Sequence, residues 1–220
     1  LVFSYACEDK LGELPKNEKV DKNTIIDEVT AQTALNGVYY FFAHVNQVDN
    51  VTEWLMHSVY PGFLSGFLGY AYGQQLEEMN INSGGFEFAW QQCYQCINAA
   101  NGVIQSVEAL PNELFDENRK EEILGESRFL RAYNHFRLLI YFGQWYDINS
   151  EYGVLLRDEL STLSNLSKAR SSVADSYAAI VEDLDYAIEN APEVNESYYA
   201  TRWAAMALKM RVLLSRGAPA

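Results

Sequence analysis

Basic side chains are scarce in this chain. It has 16 lysines and arginines against 30 aspartates and glutamates, which gives a formal net charge of −14. Nucleic acids and anionic membrane surfaces bind proteins largely through lysine and arginine, which replace the counterions around phosphate groups. The deficit therefore argues against such partners, and we expect no nucleic-acid partner. A neutral ligand is compatible with this charge, although the charge does not select one.

Histidine is also scarce, and sequence motifs of catalysis are missing. The three histidines, His44, His57 and His135, are scattered, and none belongs to an H-E-x-x-H pair. The sequence also lacks a G-x-S-x-G turn, a Walker loop and a zinc-binding pattern. We therefore expect no catalytic residue, no metal site and no cofactor, and the protein is predicted not to be an enzyme. His135 is predicted to lie at the edge of the core.

Cysteine occurs three times, and two of the cysteines form a single C-x-x-C, Cys93 and Cys96. Such a pair can be a redox centre or half of a zinc site. There is no second C-x-x-C, and the pair falls inside a helical pattern. We interpret both residues as small buried side chains of a helix. If the protein is exported, an oxidised pair is the alternative.

A short apolar stretch opens the chain, "LVFSYAC", and it is too short to span a membrane. Residues 1–6 read as the remnant of a secretory signal with a small residue before the cut. Cys7 would then be the cysteine that bacterial lipoproteins acylate, and residues 7–22 would form an anchor and an extended leader. The alternative is a frayed apolar start. The ends of the sequence lead us to expect part of a longer protein.

Apolar residues recur at helical spacing over most of the remaining chain, among them Val29 in the first helical pattern and Trp203, Met210 and Leu214 in the last. The pattern predicts helices at 24–46, 87–110, 116–142, 173–191 and 199–216, with a short one near 51–57. Thr24-x-x-Asp27 and Ser172-x-x-Asp175 are typical of capping boxes. Short connections join the second helix to the third and the fourth to the fifth, which makes two helical hairpins. The predicted fold is all-α and tetratricopeptide-like, resembling an α-solenoid with long irregular loops.

Two stretches, 47–85 and 144–170, lack helical periodicity, and the second is compatible with a short strand. Long irregular segments within a compact domain are often functional. Aromatic rings stack on the apolar faces of sugars, and amides bridge pairs of hydroxyl groups. The candidate glycan-binding residues are Trp54, Tyr60, Tyr70, Tyr72, Asn80, Asn82 and Trp145. The alternative is that the rings only hold the loops against the helices.

Four blocks of sequence resemble the SusD/RagB family of outer-membrane lipoproteins of Bacteroidetes. They are Ala6-Cys7 with its acidic followers, "WQQCYQCINAANGVIQSV", "GESRFLRAYNHFRLLIYFG", and "VADSYAAIVEDLDYAIENAPE" with "ATRWAAMALKMRVLLSRG". The third block is the most specific. After Gly143 the family often continues D-V-P, whereas this chain has "QWYD", which leaves the shape of that loop open.

The resemblance implies a lipid-anchored, surface-exposed protein of the outer membrane. Such a protein would bind oligo- or polysaccharide and deliver it to a partner TonB-dependent transporter. Residues 23–217 would form the family's N-terminal helical domain, without its C-terminal half. The alternative is a helical interaction scaffold, such as a transporter lid, with no sugar site in this part.

Three arginines, at positions 128, 131 and 137, lie in the third block among apolar residues. In so acidic a chain, the expected partners of Arg128 and Arg131 are carboxylates on adjoining helices. Asp183 is the predicted partner of Arg131, since a buried arginine can bind a carboxylate through two hydrogen bonds and fix helix register. Arg137 is expected to be solvated.

Overall fold

The computed structural model describes residues 24–43 and 84–217, with side chains from Ala89 onward in the second range. The described residues form five α-helices: α1 (Glu28–Ala43), α2 (Gly84–Glu108), α3 (Arg119–Phe142), α4 (Val173–Asn190) and α5 (Arg202–Arg216). The helix expected near 51–57 lies outside them. No strand occurs in the part of the chain that the structure describes. The short strand considered for 144–170 is therefore wrong.

The helices are arranged as two hairpins. Helices α2 and α3 are joined through residues 109–118, which include a 3₁₀ turn (Asn112–Leu114), and α4 and α5 are joined through residues 191–201. Helix α3 packs against α1, α2 and α4, so it lies at the centre of the described structure. Fourteen of its residues are buried, which explains why its sequence is apolar on several sides. The all-α, tetratricopeptide-like prediction is confirmed.

Side-chain caps mark the starts of α1 and α4. At α4 the predicted cap is confirmed, because the amide of Asp175 donates to Ser172 Oγ at 3.0 Å. At α1 the cap lies three residues later than expected. Asp27 Oδ1 accepts from the amide of Thr30 at 2.9 Å, and Thr30 Oγ1 accepts from the amide of Asp27 at 3.0 Å. This reciprocal pair satisfies two amides of the first turn, so the helix begins at Glu28.

The buried faces of the outer helices match the sequence pattern only in part. In α1 the buried residues are Ala31, Leu35, Val38 and Tyr39, whereas Val29, which fitted the apolar pattern, is 74% exposed. In α5 the buried residues are Ala205, Leu208 and Val212, while Trp203, Met210 and Leu214 of the predicted pattern are exposed. Both helices have apolar residues on more than one side, and packing against neighbours decides which side is buried.

Cys93 and Cys96 are not joined in a disulfide bond, and both are buried, each with 1% of its surface exposed. Their prediction as buried helix residues is confirmed. Burial raises the pKa of the Cys96 thiol to about 12, so the thiolate that redox chemistry and metal binding need is strongly disfavoured.

Two glycines of the 143–172 connection, Gly143 and Gly153, permit close backbone contacts. Gly143 ends α3 with an extended backbone (φ −104°) rather than a left-handed one. A Cβ at Gly143 would lie 2.9 Å from the carbonyl oxygen of Leu139. At Gly153 a Cβ would lie 2.3 Å from Ser176 Oγ and 2.5 Å from the carbonyl oxygen of Ser172. Position 153 therefore has no room for a side chain.

We predict that Gly153→Ala lowers the free energy of unfolding by about 1–3 kcal/mol, because the added methyl group overlaps backbone at the start of α4. Gly37→Ala is the matched control. It lies inside α1, where an added methyl group would have no neighbouring atom within 4 Å, and it should stabilise the helix by roughly 0.5–1 kcal/mol. Urea unfolding monitored by circular dichroism measures both. Equal effects of the two substitutions would contradict the packing described at Gly153.

Candidate functional site

Of the seven candidate glycan-binding residues, Trp145 is the one that the structure describes. Trp54, Tyr60, Tyr70, Tyr72, Asn80 and Asn82 lie outside the described residues, as does Cys7. The geometry therefore bears on residues 143–172, which contain the second irregular stretch and which we call the connecting segment. It joins α3 to α4 and begins with the loop 144–152, where Trp145 lies.

The loop 144–152 is closed by hydrogen bonds. The amide of Gln144 donates to the carbonyl oxygen of Tyr152 at 2.9 Å, so the two ends meet. Within it, the amide of Asp147 donates to Gln144 O at 2.9 Å, and the amide of Ser150 donates to Asp147 O at 3.1 Å. Ser150 Oγ lies 2.7 Å from Gln144 Oε1 and accepts from the amide of Tyr152 at 3.0 Å. These contacts define the backbone of the loop.

Trp145 is half-buried and packs against the core. Its carbonyl oxygen accepts a hydrogen bond from the hydroxyl of Tyr177 at 3.1 Å. Its ring contacts that of Tyr146 edge to face, with the centroids 5.9 Å apart. Because part of the indole already packs against the protein, Trp145 supports the loop as well as contributing to its surface.

The exposed rings of this loop are Tyr146 and Tyr152, with 71% and 61% of their surface accessible. Both lie in the stretch that the sequence predicts to be functional, but neither is among the seven candidate glycan-binding residues. The sequence feature that could have identified them is their position outside helical periodicity, in the same nine residues as Trp145. The loop also carries two exposed carboxylates, Asp147 and Glu151, and no lysine or arginine.

A cluster of buried polar side chains lies next to the connecting segment. Arg131 and Asp183 are 8% and 5% exposed. Arg131 Nε donates to Asp183 Oδ2 at 2.7 Å, and Nη2 donates to Oδ1 at 2.6 Å, so the pair expected from the sequence is present with both hydrogen bonds. Arg131 Nη1 donates to Asn101 Oδ1 at 2.8 Å. Asn101, Arg131 and Asp183, which we call the polar node, connect α2, α3 and α4.

The polar node also holds the connecting segment. Asn101 Nδ2 donates to the carbonyl oxygens of Arg157 and Glu159 at 3.0 and 2.9 Å. Arg131 Nη1 lies 3.3 Å from the carbonyl oxygen of Asp158. Burial raises the pKa of the Asp183 carboxyl, and the guanidinium of Arg131 opposes that rise. The polar node therefore provides hydrogen-bond donors for backbone carbonyl groups that belong to no helix or strand.

Two more side chains bind the same segment. The hydroxyl of Tyr94 donates to the carbonyl oxygen of Leu155 and accepts from its amide, both at 3.1 Å. Nε2 of His135 accepts from the amide of Arg157 at 3.2 Å. His135 is buried deeper than the core edge expected for it, and burial together with the charge of Arg131 lowers its pKa to about 3. The neutral imidazole is therefore the acceptor.

Arg128 also lies against carboxylates, as expected. Its Nη2 donates to Glu108 Oε1 at 3.0 Å, and its Nη1 is 3.9 Å from Asp183 Oδ1. The guanidinium lies 4.2 Å from the centroid of the Tyr186 ring. Arg128 therefore bridges the same three helices as the polar node, closer to the surface.

Arg137 is half-buried, so its expected solvation is wrong. Its guanidinium carbon is 5.9 Å and 5.8 Å from the ring centroids of Tyr133 and Tyr141. The three side chains line a groove of about 450 Å³ between α3 and α5, together with Phe136, Ile140, Leu208, Arg211 and Ser215.

A second buried carboxylate, Glu126, connects α1 to α3. Its Oε2 accepts from the hydroxyl of Tyr39 at 2.7 Å, and its Oε1 lies 3.2 Å from Nη2 of Arg119. The hydroxyl of Tyr39 in turn accepts from the amide of Ala200 at 2.8 Å. Burial raises the pKa of Glu126, while Tyr39 and Arg119 oppose the rise. Glu126 is therefore occupied by structural contacts.

None of the helices in the described ranges is both long and apolar enough to span a membrane.

We predict that Arg131→Met and Asp183→Leu each lower the free energy of unfolding by about 3–5 kcal/mol, because each leaves the other charge buried and unpaired. The double variant should lose less than the sum, because it buries no lone charge. Urea unfolding measures the cycle. Lys168→Met is the control, because it removes a contact to Asp158, whose side chain is 78% exposed. It should change the free energy of unfolding by about 1 kcal/mol or less. Additive losses in the cycle would contradict a coupled pair.

Similar proteins share this architecture. A curated SusD-like protein of Bacteroides ovatus is 29% identical over 220 residues, which cover 98% of this chain and 38% of that protein. A solved SusD superfamily structure from Bacteroides fragilis has a TM-score of 0.70 at 22% identity, covering 88% of this chain and 47% of that one. A structure named as a laminarin-binding SusD-like protein has a TM-score of 0.67 at 21% identity, covering 86% and 40%. The chain thus spans less than half the length of these relatives.

The family comparison covers most of the chain. The model of the SusD-like family described as "Starch-binding associating with outer membrane" matches residues 9–214. That range contains the polar node, the connecting segment and nearly all of the five helices. The chain belongs to the SusD-like family.

Proposed function

We propose that this chain is part of a cell-surface glycan-binding lipoprotein. It captures oligo- or polysaccharide at the outer membrane and delivers it to a partner TonB-dependent transporter. The observation that carries the proposal is the family match over residues 9–214, whose description combines starch binding with association with the outer membrane. The laminarin-binding relative with the same fold supports a glycan as the ligand class.

The membrane attachment in this proposal is a lipid at Cys7. Residues 1–6 have the apolar character of a signal remnant, and a cysteine follows a small residue. One acyl chain alone binds a membrane weakly, so firm attachment requires more than one. Acylated Cys7 followed by the polar leader to residue 22 would leave the helical domain exposed at the cell surface.

Binding rather than cleavage is the proposed activity. Glycoside hydrolysis uses two carboxyl groups that flank the scissile bond. Within the described ranges, the buried carboxylates Glu126 and Asp183 are each engaged by an arginine and by further hydrogen bonds or packing. They connect helices, which is a structural role. Loop aromatics would hold the sugar without chemical change.

A helical interaction scaffold is the second candidate, and the outer face of α5 favours it. Trp203, Met210 and Leu214 of α5 are 53%, 66% and 80% exposed. Their spacing places them on the same face of that helix. Contiguous exposed apolar surface is typical of protein–protein contacts. In this alternative, the chain would contact the transporter or another protein without binding sugar.

Native electrophoresis in gels that contain laminarin or soluble starch tests the proposal. We expect the chain to be retarded in at least one of these gels relative to a gel without polysaccharide, while an unrelated acidic protein is not. Its acidic charge (−14) produces strong migration, so retardation is readily measured.

Absence of retardation in both gels would contradict glycan binding by this chain. A TonB-dependent transporter that still co-purifies from detergent-solubilised outer membranes would then support the scaffold. Substitution of Met210 and Leu214 by glutamate should abolish that co-purification if α5 is the contact.

A further inference from the structure

We infer that Tyr146 and Tyr152 form the stacking surface of a subsite for a neutral glycan, with Trp145 as its support. The inference rests on the proposed function and assigns it a place among the described residues. It differs from the sequence-based expectation, in which Trp145 was the contact residue of this loop.

The first observation is the exposure of the two rings. Tyr146 is 71% and Tyr152 is 61% exposed, although they lie in a loop of only nine residues. Single exposed tyrosines are ordinary on protein surfaces. Two on one closed loop give it two aromatic rings, each with a hydroxyl group, that are accessible to a ligand. Tyrosine has two side-chain torsions, so holding its ring against a ligand costs little conformational entropy.

The second observation is that the loop is preorganised. The Gln144–Tyr152 hydrogen bond of 2.9 Å places the residue that bears one ring against the start of the loop. The amide of Val173 donates to the carbonyl oxygen of Ser150 at 2.9 Å, which attaches the loop to the start of α4. A surface whose backbone is already ordered loses less entropy when a ligand binds.

The third observation concerns Trp145. Its carbonyl oxygen is held by Tyr177, and its half-buried ring packs against the core. The Trp145 and Tyr146 rings meet at 83° with centroids 5.9 Å apart. This edge contact restrains Tyr146 while leaving most of its surface accessible. Trp145 therefore acts as a positioning residue for the exposed ring.

The charges of the loop disfavour an acidic glycan. Asp147 and Glu151 are exposed in the same loop, which has no basic residue. Arg170 lies at the base of the loop, where Nη1 donates to the carbonyl oxygens of Phe142 and Gly153. The guanidinium of Arg170 is therefore engaged by backbone carbonyl groups. Like charges repel, so the two carboxylates disfavour a sugar that carries carboxylates. Stacking on tyrosine rings suits the apolar faces of neutral pyranoses.

The experiment compares the variant Tyr146→Ala/Tyr152→Ala with the wild-type chain in gels that contain laminarin or soluble starch. We expect the variant to bind about tenfold more weakly, from the loss of ring contacts. Tyr198→Ala is the matched control, because it removes a ring that is 69% exposed in the connection between α4 and α5. It should bind like the wild type. Unchanged far-ultraviolet circular dichroism and thermal unfolding establish that each variant is folded.

Two further arms sharpen the result. Tyr146→Phe/Tyr152→Phe keeps both rings and should keep most of the binding, and loss equal to that of the alanine variant would overturn stacking. Polygalacturonate in the gel, an acidic polysaccharide, should retard the wild-type chain less than laminarin or starch does. Stronger retardation by polygalacturonate would overturn the neutral class.

The outcomes separate this inference from the proposed function. If the wild-type chain and the alanine variant are retarded equally, the subsite is wrong and glycan binding by the chain stands. If laminarin and starch both fail to retard the wild-type chain, the proposed function fails for this chain, and the subsite fails with it.

Discussion

The pair formed by Arg131 and Asp183 is the interaction on which the described structure most depends. Two hydrogen bonds of 2.7 and 2.6 Å join the central helix α3 to α4 in a place where both side chains are almost fully buried. A buried ion pair is not in itself a strong source of stability, because both charges lose their hydration. Its effect is on specificity, since any other register of α3 against α4 would leave two buried charges without partners.

Arg131 and the other residues of the polar node also determine the path of the connecting segment. Through Asn101 the polar node binds the backbone at residues 157–159, and Tyr94 and His135 bind it at Leu155 and Arg157. These four side chains lie in sequence blocks that resemble the family. The most recognisable residues of the chain thus serve its architecture, and the exposed tyrosines lie in the less patterned loop that this architecture positions.

The sequence predicted the hairpins because long apolar periodicity is a strong signal, and it predicted the Arg131–Asp183 pair because a buried arginine in an acidic chain needs a carboxylate. In α1 the apolar pattern included Val29, although that residue faces solvent. The sequence could not rank Trp145 against Tyr146, because a turn has no periodicity that tells which ring packs inward. The need for glycine at position 153 depends on Ser172 and Ser176, contacts that form only in the folded chain.

Native-state hydrogen exchange tests most directly whether buried side chains hold the connecting segment. The amides of Val154, Leu155 and Arg157 belong to no helix or strand, yet they donate to Ser176 Oγ, Tyr94 Oη and His135 Nε2. They should exchange as slowly as amides inside α3, and far more slowly than that of Leu163, whose side chain is 97% exposed. Exchange of all three at the rate of Leu163 would contradict the account.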